Sequence, residues 1–397
     1  MESILNNTIR KIVSLKDYPI ICVFAAIFII CFFRQTTLFS QYEIVPILSA
    51  KVLSILRYFC IFLFLVYFCL YKVERKYLYF FIVFIISDYV LKKLSNTHIL
   101  FELFFLPLCL SKFVRRDKLF KVLFFASFIA FVSVILMNYV GILQSADFFR
   151  DCKTRFALGF VHPNSLGLLL IYTAFLYSLS TEKYSPIFIV TLVFIAIFNW
   201  FIPRSVTSAL IILFYAFSLV ILYFFKIDIF FNKNKKLLFY IIVSSLIFMI
   251  LLIYYVSYTE TGKEFLLKMP GAIWARFEFG MMAYERYGIS FWGTPIEETI
   301  PDATRNITEF FIVDCSYFFI PINYGIVTYL LYIAAIIFIL YKTIFNGEYR
   351  YLAVLILFLF YGISENLLTT LLIMPVYAFI FCARGFSEKN MQTRMKI

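Results

Sequence analysis

The chain of 397 residues is 63% hydrophobic and 15% charged, with a mean hydropathy of +0.92. A soluble protein of this length cannot bury so many apolar runs, so the composition points to a bilayer and excludes a water-soluble enzyme. The net charge of +13 does not imply nucleic-acid binding, because most Lys and Arg gather in short connections between apolar runs, as in cytoplasmic loops.

In chain order, a polar stretch from Met1 to Asp17 precedes an apolar run without a small-residue cleavage site, which predicts an uncleaved first span. About twelve spans follow from run length: Tyr18–Phe33, Ser54–Tyr71, Tyr77–Val90, Ile99–Val114, Leu119–Leu143, Phe160–Leu179, Pro186–Ile202, Val206–Phe225, Leu237–Val256, Tyr317–Tyr341, Tyr351–Ile363 and Leu367–Ala383. Every second connection is basic, including Arg10–Lys16, Lys72–Lys76, Arg115–Lys118, Lys226–Lys236 and Lys342–Arg350, which places both termini in the cytoplasm. Lys92 and Lys93 break the pattern, and snorkelling accounts for them. The eight cysteines form neither a CxxC pair nor a Cys/His cluster, so no metal site is expected. Cys152 and Cys315 both fall outside and could pair, although chance placement is the favoured account of them.

The opposite face then carries Asp147–Arg155, the start of the span containing His162, the turn Pro203-Arg204-Ser205, the long segment Ser257–Cys315, and Glu365. Within the long segment, Pro270-Gly271 opens a predicted helix over Ala272–Tyr287. Ile273, Phe277, Met281 and Tyr284 form one apolar stripe, and Arg276 lies on a neighbouring face, as in a helix along a membrane surface. Cytoplasmic connections are too short for a soluble catalytic domain, so chemistry is expected at the outer face.

Arg155, Arg204 and Arg276 come from three external segments. Converging guanidinium forks suit a diphosphate, whereas single arginines at helix ends also serve as headgroup anchors. His162 precedes Pro163, which biases it away from helical geometry, and Asn164 and Ser165 can cap the helix that follows. His162 then reads either as a substrate ligand or base, or as a kink residue. Asp314 is placed to accept a proton from a sugar hydroxyl, or to sit beside a helix N-cap. Glu365 interrupts an apolar region, where a carboxylate is a functional candidate by default. Asp88 and Glu102 are weaker, since Lys92 and Lys93 are near enough to pair with them. There is no Gly-rich phosphate loop, HExxH, GxSxG or paired-aspartate motif, which disfavours a nucleotide-sugar donor. No matched halves are visible, which lowers the case for a transporter.

At these residues the chain resembles the Wzy-type polymerases of O-antigen and capsular polysaccharide, relatives of the O-antigen ligases. The resemblance rests on Arg155-x3-Gly159-Phe160-x-His162-Pro163-Asn164-x2-Gly167, on Pro203-Arg204-Ser205-x-Thr207 (Pro standing where the family usually has Ser), and on Ala275-Arg276 with Phe291-Trp292-Gly293. Asp314-x2-Tyr317 with Tyr324-Gly325-Ile326, and Ser364-Glu365, complete it. These cover about the second two-thirds of the chain. The resemblance implies an all-α polytopic membrane protein with a GT-C-like fold, a single domain over residues 1–397, and one large external loop, 257–315, between spans 9 and 10. It implies transfer of a growing glycan from undecaprenyl diphosphate onto a lipid-linked repeat unit at the outer face of the bacterial plasma membrane, without metal or cofactor. Partners would be lipid-linked oligosaccharide donor and acceptor, membrane lipid and a chain-length regulator. Arg204 and Arg276 would hold the diphosphate, Arg155 would assist, and Asp314 or His162 would take the acceptor proton. Asn164, Glu365, Trp274 and Tyr317 are further substrate-binding candidates. The alternatives are an O-antigen ligase and a flippase for lipid-linked oligosaccharide.

Overall fold

The computed structural model describes residues 17–42, 44–70, 82, 110–111, 113–150, 153–181, 185–225, 227–269, 271–299, 311–368, 370 and 372–382. Among the described residues the elements are all α-helical apart from one small hairpin, and the chain divides into two compact units.

The first unit holds α1 (Asp17–Phe33), α2 (Leu38–Gln41), α3 (Ile44–Leu70), α4 (Arg116–Tyr139), the hairpin β1 (Phe148–Arg150) and β2 (Lys153–Arg155), α5 (Pro163–Ser180) and α6 (Pro186–Phe201). α7 (Val206–Phe224) belongs to this unit through Phe217 and to the second from Ser218, and α15 (Met374–Ala378) closes the first. α4 packs against both α1 and α5. At one end the α1–α4 contact is fastened by Lys118 Nζ, 3.0 Å from the buried Asp17 carboxylate. α5 and α6 begin by the same device. A residue with a side-chain acceptor (His162 or Ser185) precedes a proline at the first helical position, where the missing N–H costs nothing.

The second unit holds α8 (Ile227–Lys233), α9 (Lys235–Tyr258), α10 (Glu260–Leu267), α11 (Gly271–Tyr287), α12 (Ser316–Asn323), α13 (Gly325–Phe345) and α14 (Tyr349–Tyr361). At the α9–α10 corner, a side chain on Gly262 would stand 2.5 Å from Val256 Cα, so the turn admits only glycine. α11 coincides with the expected surface helix, and α10 precedes it unanticipated.

α3, α4, α7, α9 and α13 are long and apolar enough to cross a membrane, and α1, α6 and α14 are apolar but shorter. This is the architecture of a membrane-embedded helical protein. Three expected spans differ. Ser54–Tyr71 starts earlier, since α3 runs from Ile44 to Leu70. Tyr317–Tyr341 is split at Tyr324, because Pro321 removes a backbone donor inside α12 and Gly325 takes φ +86°. Leu367–Ala383 is not a continuous helix. Turns at Leu367–Thr370 and Thr370–Ile373 lead only into the short α15. The expected span Tyr77–Val90, apart from Ile82, and most of Ile99–Val114 lie outside the described residues, as do Asp88, Lys92, Lys93, Glu102 and Cys152. Cys315 is a buried free thiol.

Candidate functional site

In the first unit, two motif pieces far apart in the chain meet at Arg155. Its Nη2 donates to Asn164 Oδ1 at 2.6 Å, and its Nε donates to the Pro203 carbonyl at 3.0 Å. One guanidinium therefore joins the end of β2, the first turn of α5 and the turn before α7. The Phe156 N–H adds a bond to the Ile202 carbonyl at 3.2 Å. Gly167 explains the close packing of α5 on that turn: an added Cβ would lie 2.7 Å from Ser208 Oγ and 2.9 Å from Ser205 Oγ.

His162 is the N-cap of α5. The Asn164 N–H donates to its Nδ1 at 3.0 Å, and its ring meets Phe148 edge to face at 4.7 Å. Burial, helped by the Arg155 charge, lowers its pKa from 6.5 to about 4. The ring is then neutral near pH 7. In this arrangement Nδ1 is taken up by the cap and Nε2 carries the ring proton.

Arg204 stands in the left-handed region at φ +50°, uncommon for a residue with a side chain. Its Nη1 is buried and meets no acceptor among the described residues. Asn199, in the last turn of α6, is fully buried, and neither side-chain polar atom has a partner among the described residues, while its backbone carbonyl accepts from the Ser205 N–H at 3.0 Å. A lone Asn inside an apolar run is the signal by which the sequence could have flagged it.

A brace from the end of α1 supports this mouth. The Thr37 N–H donates to the Gly159 carbonyl and the Val161 N–H to the Gln35 carbonyl, both at 3.0 Å. Ser165 Oγ donates to Gln35 Oε1 at 2.9 Å. Sequence reading found nothing diagnostic in the first spans, and only chain pairing exposes this segment.

In the second unit, Arg276 Nη2 lies 3.8 Å from Glu365 Oε1, both side chains largely buried. Burial raises the pKa of Asp314, and the nearby Arg276 charge offsets part of that rise. Ser316 holds the turn that carries Glu365. Its Oγ donates to the Glu365 carbonyl at 2.8 Å and accepts from Leu367 N–H at 3.1 Å, and its own N–H donates to Gly362 at 2.8 Å. Glu298, which sequence reading passed over, accepts the Val313 N–H at 3.1 Å.

The turn Phe291-Trp292-Gly293 interlocks with the break between α12 and α13. Thr294 N–H donates to Ile322 at 2.8 Å, Ile326 N–H to Ser290 at 3.0 Å, and Ile296 N–H to Asn323 Oδ1 at 3.0 Å. A Cβ on Gly293 would sit 2.4 Å from Asn323 O, and one on Gly325 would sit 2.3 Å from Phe291 O. Two motif pieces noted separately in the sequence are thus one joint.

Tyr317 is fully buried. Its hydroxyl donates to the Leu359 carbonyl at 2.9 Å, so the side chain anchors α12 on α14 in the core, away from any surface open to substrate. Trp274 lines a groove between α10 and α11 with Leu266, Leu267, Met281 and Glu278. Arg155, His162, Asn164 and Arg204 thus belong to the first unit, and Trp274, Arg276, Asp314, Tyr317 and Glu365 to the second.

Comparison of the chain with protein-family models, with curated proteins and with solved structures gives no significant match.

Proposed function

We propose that the chain is a membrane glycosyltransferase that lengthens a glycan by moving it from undecaprenyl diphosphate onto a lipid-linked repeat unit at the outer face of the bacterial plasma membrane, with both termini inside. The observation that carries this reading is Arg204, a guanidinium held by a strained turn with a buried nitrogen that no acceptor among the described residues satisfies. Such a group is costly unless an anion completes it, and a diphosphate offers oxygens spaced for a guanidinium fork. Backbone strain of this kind concentrates at ligand clamps.

In this scheme Arg204 holds the diphosphate and Arg155 fixes the turn that presents Arg204. The acceptor hydroxyl oxygen forms a bond to the anomeric carbon of the donor glycan. The bond from that carbon to the phosphate oxygen breaks, the diphosphate leaves with the electron pair, and the hydroxyl proton passes to a carboxylate. Fixed positive charge stabilises the leaving group, and the protein otherwise positions two lipid-held substrates. A raised pKa suits Asp314 to proton acceptance better than an ordinary exposed carboxylate.

The test is purified protein in lipid nanodiscs with a synthetic lipid-linked repeat unit, the product being sized on a gel. Wild type is expected to build a ladder. Arg204→Ala is expected to lose it, since removing one such donor costs about 10²–10³-fold in rate. A normal ladder from Arg204→Ala removes the proposal. Transfer only to a lipid A core acceptor identifies a ligase, and flux across vesicles without transfer identifies a flippase.

A further inference from the structure

We propose that the groove between α10 and α11 binds a zwitterionic phospholipid, whose ammonium meets the carboxylates of Glu278 and Glu285 and whose phosphate meets Lys263. The inference concerns the second unit alone and stands apart from the glycosyltransferase reading. α10 and α11 pack on each other and both pack on α9, so the two walls of the groove are fixed to the same helix. The groove encloses about 310 Å³, at the small end of ligand sites, which suits a headgroup and the start of a chain.

Helix geometry gathers the lining. On α11, Trp274, Glu278, Met281 and Glu285 recur at intervals of three or four residues and so share one face. Lys263 and Leu267 do the same on α10. The apolar members suit acyl carbon. Leu267 is 68% exposed, Met281 is an adaptable thioether, and Trp274 has the amphipathic ring favoured at the headgroup level of a bilayer.

The charged members choose the headgroup. Among the described residues, none of Lys263, Glu278 and Glu285 forms an ion pair. The two arginines of α11 do not line the groove: Arg276 lies 3.8 Å from Glu365, and Arg286 lies over the Phe311 ring at 4.7 Å. Carboxylate is therefore in excess there. An anionic headgroup is repelled, whereas one that carries ammonium beside phosphate satisfies both signs. A basic peptide would answer the carboxylates but leave Lys263 facing like charge.

The experiment uses full-length protein in nanodiscs of equal parts phosphatidylethanolamine and phosphatidylglycerol, with bromine on the acyl chains of one lipid or of the other. Composition is then the same in both arms, and only the quencher changes places. The Trp274 signal is the fluorescence lost in Trp274→Phe. Quenching is expected to show the ethanolamine lipid enriched about fivefold over the glycerol lipid at Trp274, the size that one half-exposed ion pair supports. Glu278→Gln with Glu285→Gln is expected to even out the two arms, and Glu278→Asp with Glu285→Asp, which keeps the charges, to preserve the preference. Equal quenching in wild type overturns the proposal, since the groove then ignores the headgroup. Absence of quenching by either lipid also overturns it, for the groove is then filled by polypeptide or stands clear of the bilayer. A preference that survives the double glutamine change overturns the role of the carboxylates. No arm reads glycan transfer, so the outcome is separate from that of the polymerase assay.

Discussion

Arg155 and Asn164 share a hydrogen bond of 2.6 Å, and the same guanidinium holds the Pro203 carbonyl at 3.0 Å. Lysine keeps the charge but offers a compact ammonium in place of a rigid fork. Arg155→Lys is expected to lose at least one of the two bonds, each worth about 1.5–3 kcal/mol, and to loosen the Arg204 turn. Glycan transfer should fall about 10–100-fold at unchanged protein level, measured as initial rate on a lipid-linked substrate.

His162 supplies a pH signature. Its folded-state pKa of about 4 lies below the ordinary 6.5. Above the ordinary value both folded and unfolded forms are neutral. As pH falls from there toward about 4, the unfolded chain takes up a proton that the folded chain refuses, so stability declines through that window. His162→Gln removes the titration. Thermal unfolding followed from pH 7 to pH 4 should show wild type losing stability relative to the variant, and parallel curves would contradict the buried neutral ring.

Asp314 gives the opposite sign. Its raised pKa favours the protonated form, so the stability it contributes is full below the usual carboxylate range and is lost as pH rises through the raised value. At neutral pH an ionised Asp314 is therefore a cost that Asp314→Asn escapes. The variant is expected to melt higher than wild type at pH 7, to match it in acid, and to transfer no glycan. A variant less stable than wild type at pH 7 would show that Arg276 outweighs the burial.

Gly325 tests the joint between the Phe291-Trp292-Gly293 turn and the α12–α13 break. A methyl at that position meets backbone at 2.3 Å and sits at φ +86°, so neither space nor conformation accepts it. Gly325→Ala should destabilise the second unit by on the order of 2 kcal/mol or more, seen as earlier unfolding or faster proteolysis. Gly288, with φ +66° but open space around it, is the control, and its alanine variant should lose less.

Much of the helical layout was legible from apolar run length, because a helix must satisfy its own backbone in lipid and so leaves a continuous signature. Run length failed where single residues decide. Pro321 and Gly325 break a run that hydropathy reads as unbroken, and Leu367–Ala383 is apolar enough to span yet turns instead. Arginine, histidine and aspartate stood out at the candidate site by type and spacing. Gln35, Asn199 and Glu298 did not, since each matters through a partner far along the chain or through the lack of one. Tyr317 shows the converse, for a residue chosen by its neighbour Asp314 turns inward to the core.

The paired backbones of Thr299 and Phe311 fasten the stretch that carries Glu298 to the one that leads into Asp314. Chain length between two such fixed ends is cheap to change, about 0.6 kcal/mol for each doubling. Insertions between them should therefore leave Glu298 and Asp314 in register.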